Sequence, residues 1–341
     1  MLKPLLLVAA GGTTLLATSD LYFEPSEGSE LTRSFTLEME GGLEDAEVTV
    51  MGQVQSLEDM VEGDMETEGE TTVTWEVIDS IESVERGRAL VFDRVFGEFL
   101  VDGDVPEDDE DEPEMPESVR FEWDAEAEAY DVTVTEEGAS DEAEATAQAL
   151  LAEMDYQFLL PEGDVEDEGT WTVEVDSQRL TEMLFPGLDM LALAELMAEL
   201  DDEVDSDQLD RFLEAWSDFD PVEVTLTYAG TTTDDEVECD VINLEFELDD
   251  TLDVGDMVME EMDEEDAEGM SDLVLSVAYE VEGTGRMLWH KGEHRLHAMQ
   301  ADMEISVELE GSATIGDENF QLPIDGFATA AATVSASQRV E

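Results

Sequence analysis

Basic residues are almost missing from this chain. Its 341 residues carry 12 lysines and arginines against 95 aspartates and glutamates, a formal net charge of −83. Only Lys3 and Lys291 are lysine. Nucleic acid and anionic membrane surfaces both require a basic face, so neither is an expected partner. Cysteine is limited to Cys239, which excludes an intramolecular disulfide. It lies in the alternating stretch Val237-Glu238-Cys239-Asp240-Val241, so a buried, unreactive thiol on a strand is expected. Short catalytic signatures are missing as well: no G-x-S-x-G elbow, P-loop, H-E-x-x-H or dinucleotide glycine fingerprint occurs. The EF-hand spacing is also absent, since Asp205-Ser206-Asp207 lacks the glycine and the downstream register. Carboxylate pairs are too abundant to single out a glycosidase-like pair. The expectation is a protein that is not an enzyme and has no cofactor beyond weakly held divalent cations.

What the chain does contain is a large apolar fraction, 42%, beside its acids. That combination describes a folded body with an anionic surface, because a chain too charged to collapse is also poor in Val, Leu and Phe. Such a surface repels itself until salt screens it; the Debye length falls from ~10 Å at 0.1 M to ~3 Å at 1 M. Adaptation to salt and collection of divalent cations both account for the excess, and composition does not separate them. The first nineteen residues have the form of an export signal: Lys3, then a largely apolar Pro4 to Leu16, then Ala17-Thr18-Ser19 before Asp20. That run is short for a ~30 Å hydrocarbon core, so no transmembrane span is expected in a mature chain from Asp20, which would be periplasmic or otherwise outside the cytoplasm.

Period-two alternation recurs along the remainder and predicts strands. They fall at Ser34–Glu40, Ala46–Gln55, Thr71–Ile78, Ala89–Val101, Val119–Asp124, Tyr130–Thr135 and Thr170–Val175, then at Val222–Tyr228, Glu236–Glu247, Leu273–Val281, Gly285–His290, Arg295–Glu310 and Phe327–Ser335. Helical spacing is confined to the middle: Asp141–Tyr156 with Ser140 as N-cap, Gln178–Phe185, Leu188–Leu200 and Asp207–Phe219. Acidic stretches at Leu57–Glu70, Asp102–Glu117 and Asp249–Glu268 are expected to be solvated loops. The fold class expected is α+β: a mainly antiparallel, strongly curved sheet with a central helical cluster. Residues 20–165 would form one β-rich half and 166–341 the other, with helices inserted at 178–219. An echo between Arg120-Phe121-Glu122-Trp123 and Arg286-Met287-Leu288-Trp289 would make these halves related half-barrel subdomains if it records a duplication.

The leader, the Arg120-Phe121-Glu122-Trp123-Asp124 hairpin, Leu159-Leu160-Pro161-Glu162-Gly163 before Thr170-Trp171, and Gly283-Thr284-Gly285-Arg286-Met287-Leu288-Trp289 together resemble a loosely defined group of exported, acidic, Met-containing proteins of marine planctomycete-like bacteria. The resemblance spans most of the chain and brings no activity with it. A curved antiparallel sheet with a helical cover is also similar to the periplasmic lipoprotein-carrier fold, a likeness of architecture alone.

Four places could carry chemistry. His290, His294 and His297 fall within eight residues around a turn at Lys291 to Glu293. Alternation would set His290 opposite His294 and send His297 to the other face, giving at most a loose Zn²⁺ or Cu²⁺ site. Arg286, Lys291 and Arg295 form a basic island around the same turn, suited to an anionic ligand or to the chain's own acids. Met257, Met259 and Met262 have thioether spacing that soft Cu(I) favours, or belong to an acidic linker packed on the sheet. Leu188, Leu191 and Leu196 lie on an apolar helix, either core or a lid over a lipid-sized cavity. The expected function is an exported, salt-adapted, non-catalytic binding or structural module of the envelope or periplasm. A carrier of lipid or another apolar ligand and a handler of Ca²⁺ or soft metals are the alternatives.

Overall fold

The computed structural model describes residues 18, 19, 21–50, 53–56, 68–85, 87–103, 115–136, 138–161, 163, 165–189, 192, 221–253, 255, 270–317 and 320–341. Its strands are β1 (Thr18–Ser19), β2 (Glu30–Val50), β3 (Gln53–Ser56), β4 (Glu68–Glu85), β5 (Arg88–Phe96), β6 (Leu100–Val101), β7 (Ser118–Asp124) and β8 (Ala129–Val134). There follow β9 (Val165–Glu166), β10 (Thr170–Val175), β11 (Val222–Asp234), β12 (Val237–Asp253), β13 (Met270–His290), β14 (Arg295–Asp317) and β15 (Phe320–Val340). Helix α1 (Asp141–Thr146) precedes β9, and helix α2 (Ser177–Leu184) follows β10.

Thirteen strands form one antiparallel sheet in the order β10-β11-β12-β13-β14-β15-β2-β4-β5-β7-β8, with β3 on β2 and β6 on β4; β1 pairs with β9. Strands of the first half and strands of the last half are continuous through β15 and β2, which pair from Val340↔Arg33 to Ile324↔Val50. The sheet is open and curved. Several expected strands are rearranged: Ser34–Glu40 and Ala46–Val50 are both in β2, Gln53–Gln55 pairs back on it as part of β3, and Leu273–Val281 and Gly285–His290 are both in β13.

Alternation explains where the charge goes. One face of the sheet carries Phe35, Leu37, Val77, Phe121, Leu244 and Met287, all buried. The opposite face carries carboxylates in rows: Glu247, Glu282 and Glu304 stand directly across from one another on β12, β13 and β14. The row continues through Thr333 and Glu40 to Glu70. A single slip of register would bury these acids, so the pattern pins the pairing.

The connection from β8 to β10 must travel from one edge of the sheet to the other. It does so over the apolar face, where Leu150, Met154, Tyr156 and Leu159 are buried against the strands. Ser140 caps α1 by accepting from the Ala143 amide at 2.9 Å, as expected, and Asp176 caps α2 through Arg179 N. The helix expected over Asp141–Tyr156 stops at Thr146 and tightens into a 3-10 turn over Ala147–Ala149. The cause is tertiary: the carbonyls of Leu151 and Ala152 accept from Arg94. Gly187 passes at φ +88°, where a side chain would be strained, and its would-be Cβ lies 2.6 Å from the Met154 methyl carbon. The expected helices Leu188–Leu200 and Asp207–Phe219 lie largely or wholly outside the described residues. The acidic stretches do too, except that Glu68–Glu70 and Asp249–Asp253 are strand and Asp102 caps the Thr72 amide.

Candidate functional site

Two inward-facing arginines interrupt the apolar face. Arg33 lies between Leu31 and Phe35 on β2, and Arg94 two residues after Phe92 on β5; both are buried, with Asp79 of β4 between them. Arg94 donates to Asp79 through Nε at 2.7 Å and Nη2 at 3.1 Å. Arg33 donates through Nη2 to Asp155 Oδ2 at 2.7 Å, and its Nη1 lies 3.7 Å from Asp79 Oδ2. Burial alone would lower the Arg33 pKa; Asp155 and Asp79 outweigh it and hold the guanidinium charged. Two arginines and two aspartates make a neutral quartet, the arrangement in which buried charges are tolerated.

This quartet leaves atoms over. Arg33 is 2% exposed, yet its Nε and Nη1 have no hydrogen-bond partner, and Asp155, also 2% exposed, has a free Oδ1. Both residues line a cleft of about 910 Å³ between the sheet and the crossing segment. Orphaned buried donors and acceptors are costly, so a polar partner beside them would be stabilising. The volume is that of a small-molecule site.

The cleft walls come from four parts of the chain. Phe92, Trp123 and Tyr130 supply aromatic surface from β5, β7 and β8, with Arg88 stacked 3.7 Å over the Trp123 ring. Tyr130 is fixed by donating to the Ala89 carbonyl at 2.6 Å. The crossing segment adds Glu153, and α2 adds Arg179 and Glu182. Arg179 Nη1 donates to Glu182 Oε2 at 2.6 Å and lies 3.9 Å from Glu153 Oε2, so two carboxylates share one cation. Burial pushes both glutamates above the ordinary carboxylate range, and Arg179 offsets only part of it. The fourth wall is Leu21 to Phe23.

That wall explains the histidine turn. His294 has φ +48°, stacks on Tyr22 at 4.1 Å and pairs its Nε2 with the Tyr22 hydroxyl at 3.1 Å. Trp289 Nε1 donates to the Tyr22 carbonyl. The turn therefore clamps the segment that closes the cleft. His290 is brought near His297, with ring centroids 6.4 Å apart, instead of His294. The register shifts there: Leu288 pairs Ala298 and Trp289 pairs Leu296, leaving His297 as the extra residue of a bulge. His297 is buried and meets Asp234 Oδ2 at 3.0 Å. Nδ1 of His290 accepts from the amides of Gly292 and Glu293. Among the described residues no group of three His, Cys, Asp or Glu side chains is placed to hold a metal ion.

The basic island is dispersed. Lys291 lies within 3.4 Å of Glu238 and 3.7 Å of Asp240, Arg295 donates to Glu293 at 2.7 Å, and Arg286 is exposed on β13. Leu188 forms an isolated bridge with Leu150 and packs on the core. Leu191, Leu196, Met257, Met259 and Met262 lie outside the described residues. Cys239 is buried, which pushes its thiol up to about 11. Arg33, Asp79 and Arg94 carry no motif; the signal that marks them is a charged residue on the apolar side of an alternating strand.

No family model and no curated protein matches the chain. Solved structures that align with it include an outer membrane channel from Pseudomonas putida F1, at 8% identity and TM-score 0.11, covering 94% of this chain and 98% of that one. Another is a loop-deletion mutant of OmpT, an outer membrane protein of Vibrio cholerae, at 8% identity and TM-score 0.09, covering 90% and 99%. Likeness at that level carries no argument about this chain. Among the described residues no helix is long and apolar enough to cross a membrane.

Proposed function

We propose that the chain is an exported, non-catalytic binding protein that holds a small ligand in the cleft between the curved sheet and its crossing segment. Export rests on the leader before Asp20, and the binding role on one observation: the buried Arg33 and Asp155, each with unpartnered side-chain atoms, line a cleft of about 910 Å³. A close-packed core leaves few voids and few unpartnered buried polar atoms, and the cleft brings both together. Carboxylates and guanidinium groups make up much of the lining, which favours a polar or amphipathic ligand over a wholly apolar one.

The test is thermal unfolding of the chain from Asp20 in panels of small neutral, cationic, anionic and apolar solutes at matched ionic strength, beside Trp123→Ala, which removes the aromatic wall of the cleft under Arg88. Saturable stabilisation by some solutes that Trp123→Ala weakens is expected. Stabilisation by fatty acids alone would replace this reading with the lipid-carrier one. Indifference to every panel would contradict it.

A further inference from the structure

The two kinds of group in the cleft ask for different things, and together they define a ligand. At the floor, Asp155 offers an acceptor without a donor, and Arg33 offers donors without an acceptor. A neutral group that both donates and accepts, such as a hydroxyl, would satisfy both without unbalancing the neutral quartet. Toward α2, Glu153 and Glu182 have only Arg179 between them, and Asp176 adds a further carboxylate. That side is one or two positive charges short. The remaining wall is aromatic, and Arg88 shows a cation already resting on the Trp123 face.

Building on the cleft as a binding site, we propose that its ligand is a hydroxylated organic amine of the amino-sugar type, with hydroxyls on Arg33 and Asp155, an ammonium between Glu153 and Glu182, and its ring body against Trp123. The cleft is large enough for a short oligosaccharide. General attraction of cations to a chain of net charge −83 is a different thing, since it has no defined stoichiometry and disappears in salt.

The experiment is calorimetric titration, at high salt and slightly acid pH, with two trimers that differ only in the 2-substituent: β-1,4-linked glucosamine and β-1,4-linked glucose. Single-site binding of the glucosamine trimer about tenfold or more tighter than the glucose trimer is expected, as for one charge-assisted contact. Glu153→Gln should remove about tenfold from the glucosamine trimer and little from the glucose trimer. The substitution keeps an acceptor for the Gln157 amide that Glu153 Oε1 now serves. Glu304→Gln on the outer face, with the same change of charge, should leave both within twofold. Should Glu153→Gln fail to fold, Glu182→Gln serves the same purpose. Equal binding of the two trimers overturns the amine while leaving the binding protein intact. Equal losses in Glu153→Gln and Glu304→Gln reduce the effect to surface charge and overturn the site. No binding of either trimer overturns the ligand class, and the solute panels then decide whether the cleft binds anything.

Discussion

Arg94 holds Asp79 from two sides of one guanidinium, Nε to Oδ1 at 2.7 Å and Nη2 to Oδ2 at 3.1 Å, while the same group donates to the carbonyls of Leu151 and Ala152. One side chain thereby ties β4 and β5 to the segment that crosses the sheet. Arg94→Met should destabilise the protein by about 3–5 kcal/mol, because it strands a buried carboxylate and two carbonyls. Arg94→Met with Asp79→Leu should recover part of that loss. Urea unfolding at high salt measures both; a loss under about 1 kcal/mol in the single variant would mean that the quartet does not organise the floor of the cleft.

Gly283 faces Phe246 across β13 and β12, and a Cβ there would run into the ring. Gly283→Ala is expected to cost about 1–3 kcal/mol through overpacking. Phe246→Leu in the same chain should return some of it. Urea midpoints of the three variants check the pair, and an unchanged midpoint for Gly283→Ala would contradict the packing.

Glu182 gives a pH dependence with a definite sign. Burial raises its pKa above the ordinary value of 4.5, with Arg179 opposing. Between the unfolded and folded pKa the native state binds more protons than the unfolded one, so this group's contribution to stability falls as pH rises through that window. Glu182→Gln should therefore match the parent in acid and gain on it as pH passes above the window. The difference between the two urea midpoints across pH isolates this group from the rest of the acidic surface; a gain confined to acid would reverse the sign and contradict the burial.

The glutamate row on the outer face predicts a salt effect. Glu282 stands directly opposite both Glu247 and Glu304, an arrangement that destabilises a sheet at low ionic strength. Glu282→Thr should raise the thermal midpoint in dilute buffer, and the gain should shrink toward zero near 1 M NaCl as the Debye length falls to ~3 Å. A gain that persists in high salt would point to β propensity instead of charge.

Much of this fold can be read in the alternation. Thr170–Val175 has the bounds expected, Val119–Asp124 gains only Ser118 in front of it, and the turn after His290 is where glycine and charge place it. Strand ends were not legible, because the fused strands β2 and β13 continue through glycines that normally signal breaks, and neighbours on both sides keep the chain extended. The helix from Asp141 ran too far for a related reason: nothing local announces that Arg94, some 57 residues away, will take the carbonyl of Leu151. Side-chain proximity around His297 depended on a bulge, which moves a residue off the simple two-residue period. The cleft was hidden because its residues come from β2, the crossing segment and α2, which are far apart in sequence and meet only when the connection folds back across the sheet.

Trp123 provides the most direct measurement, since it lines the cleft under Arg88. The glucosamine trimer should shift the chain's tryptophan emission saturably, with the same midpoint as calorimetry, and the shift should vanish in Trp123→Phe while calorimetry still detects binding. Saturable binding that leaves the emission untouched in the parent chain, or a shift that survives in Trp123→Phe, would place the ligand elsewhere and contradict the cleft as the functional site.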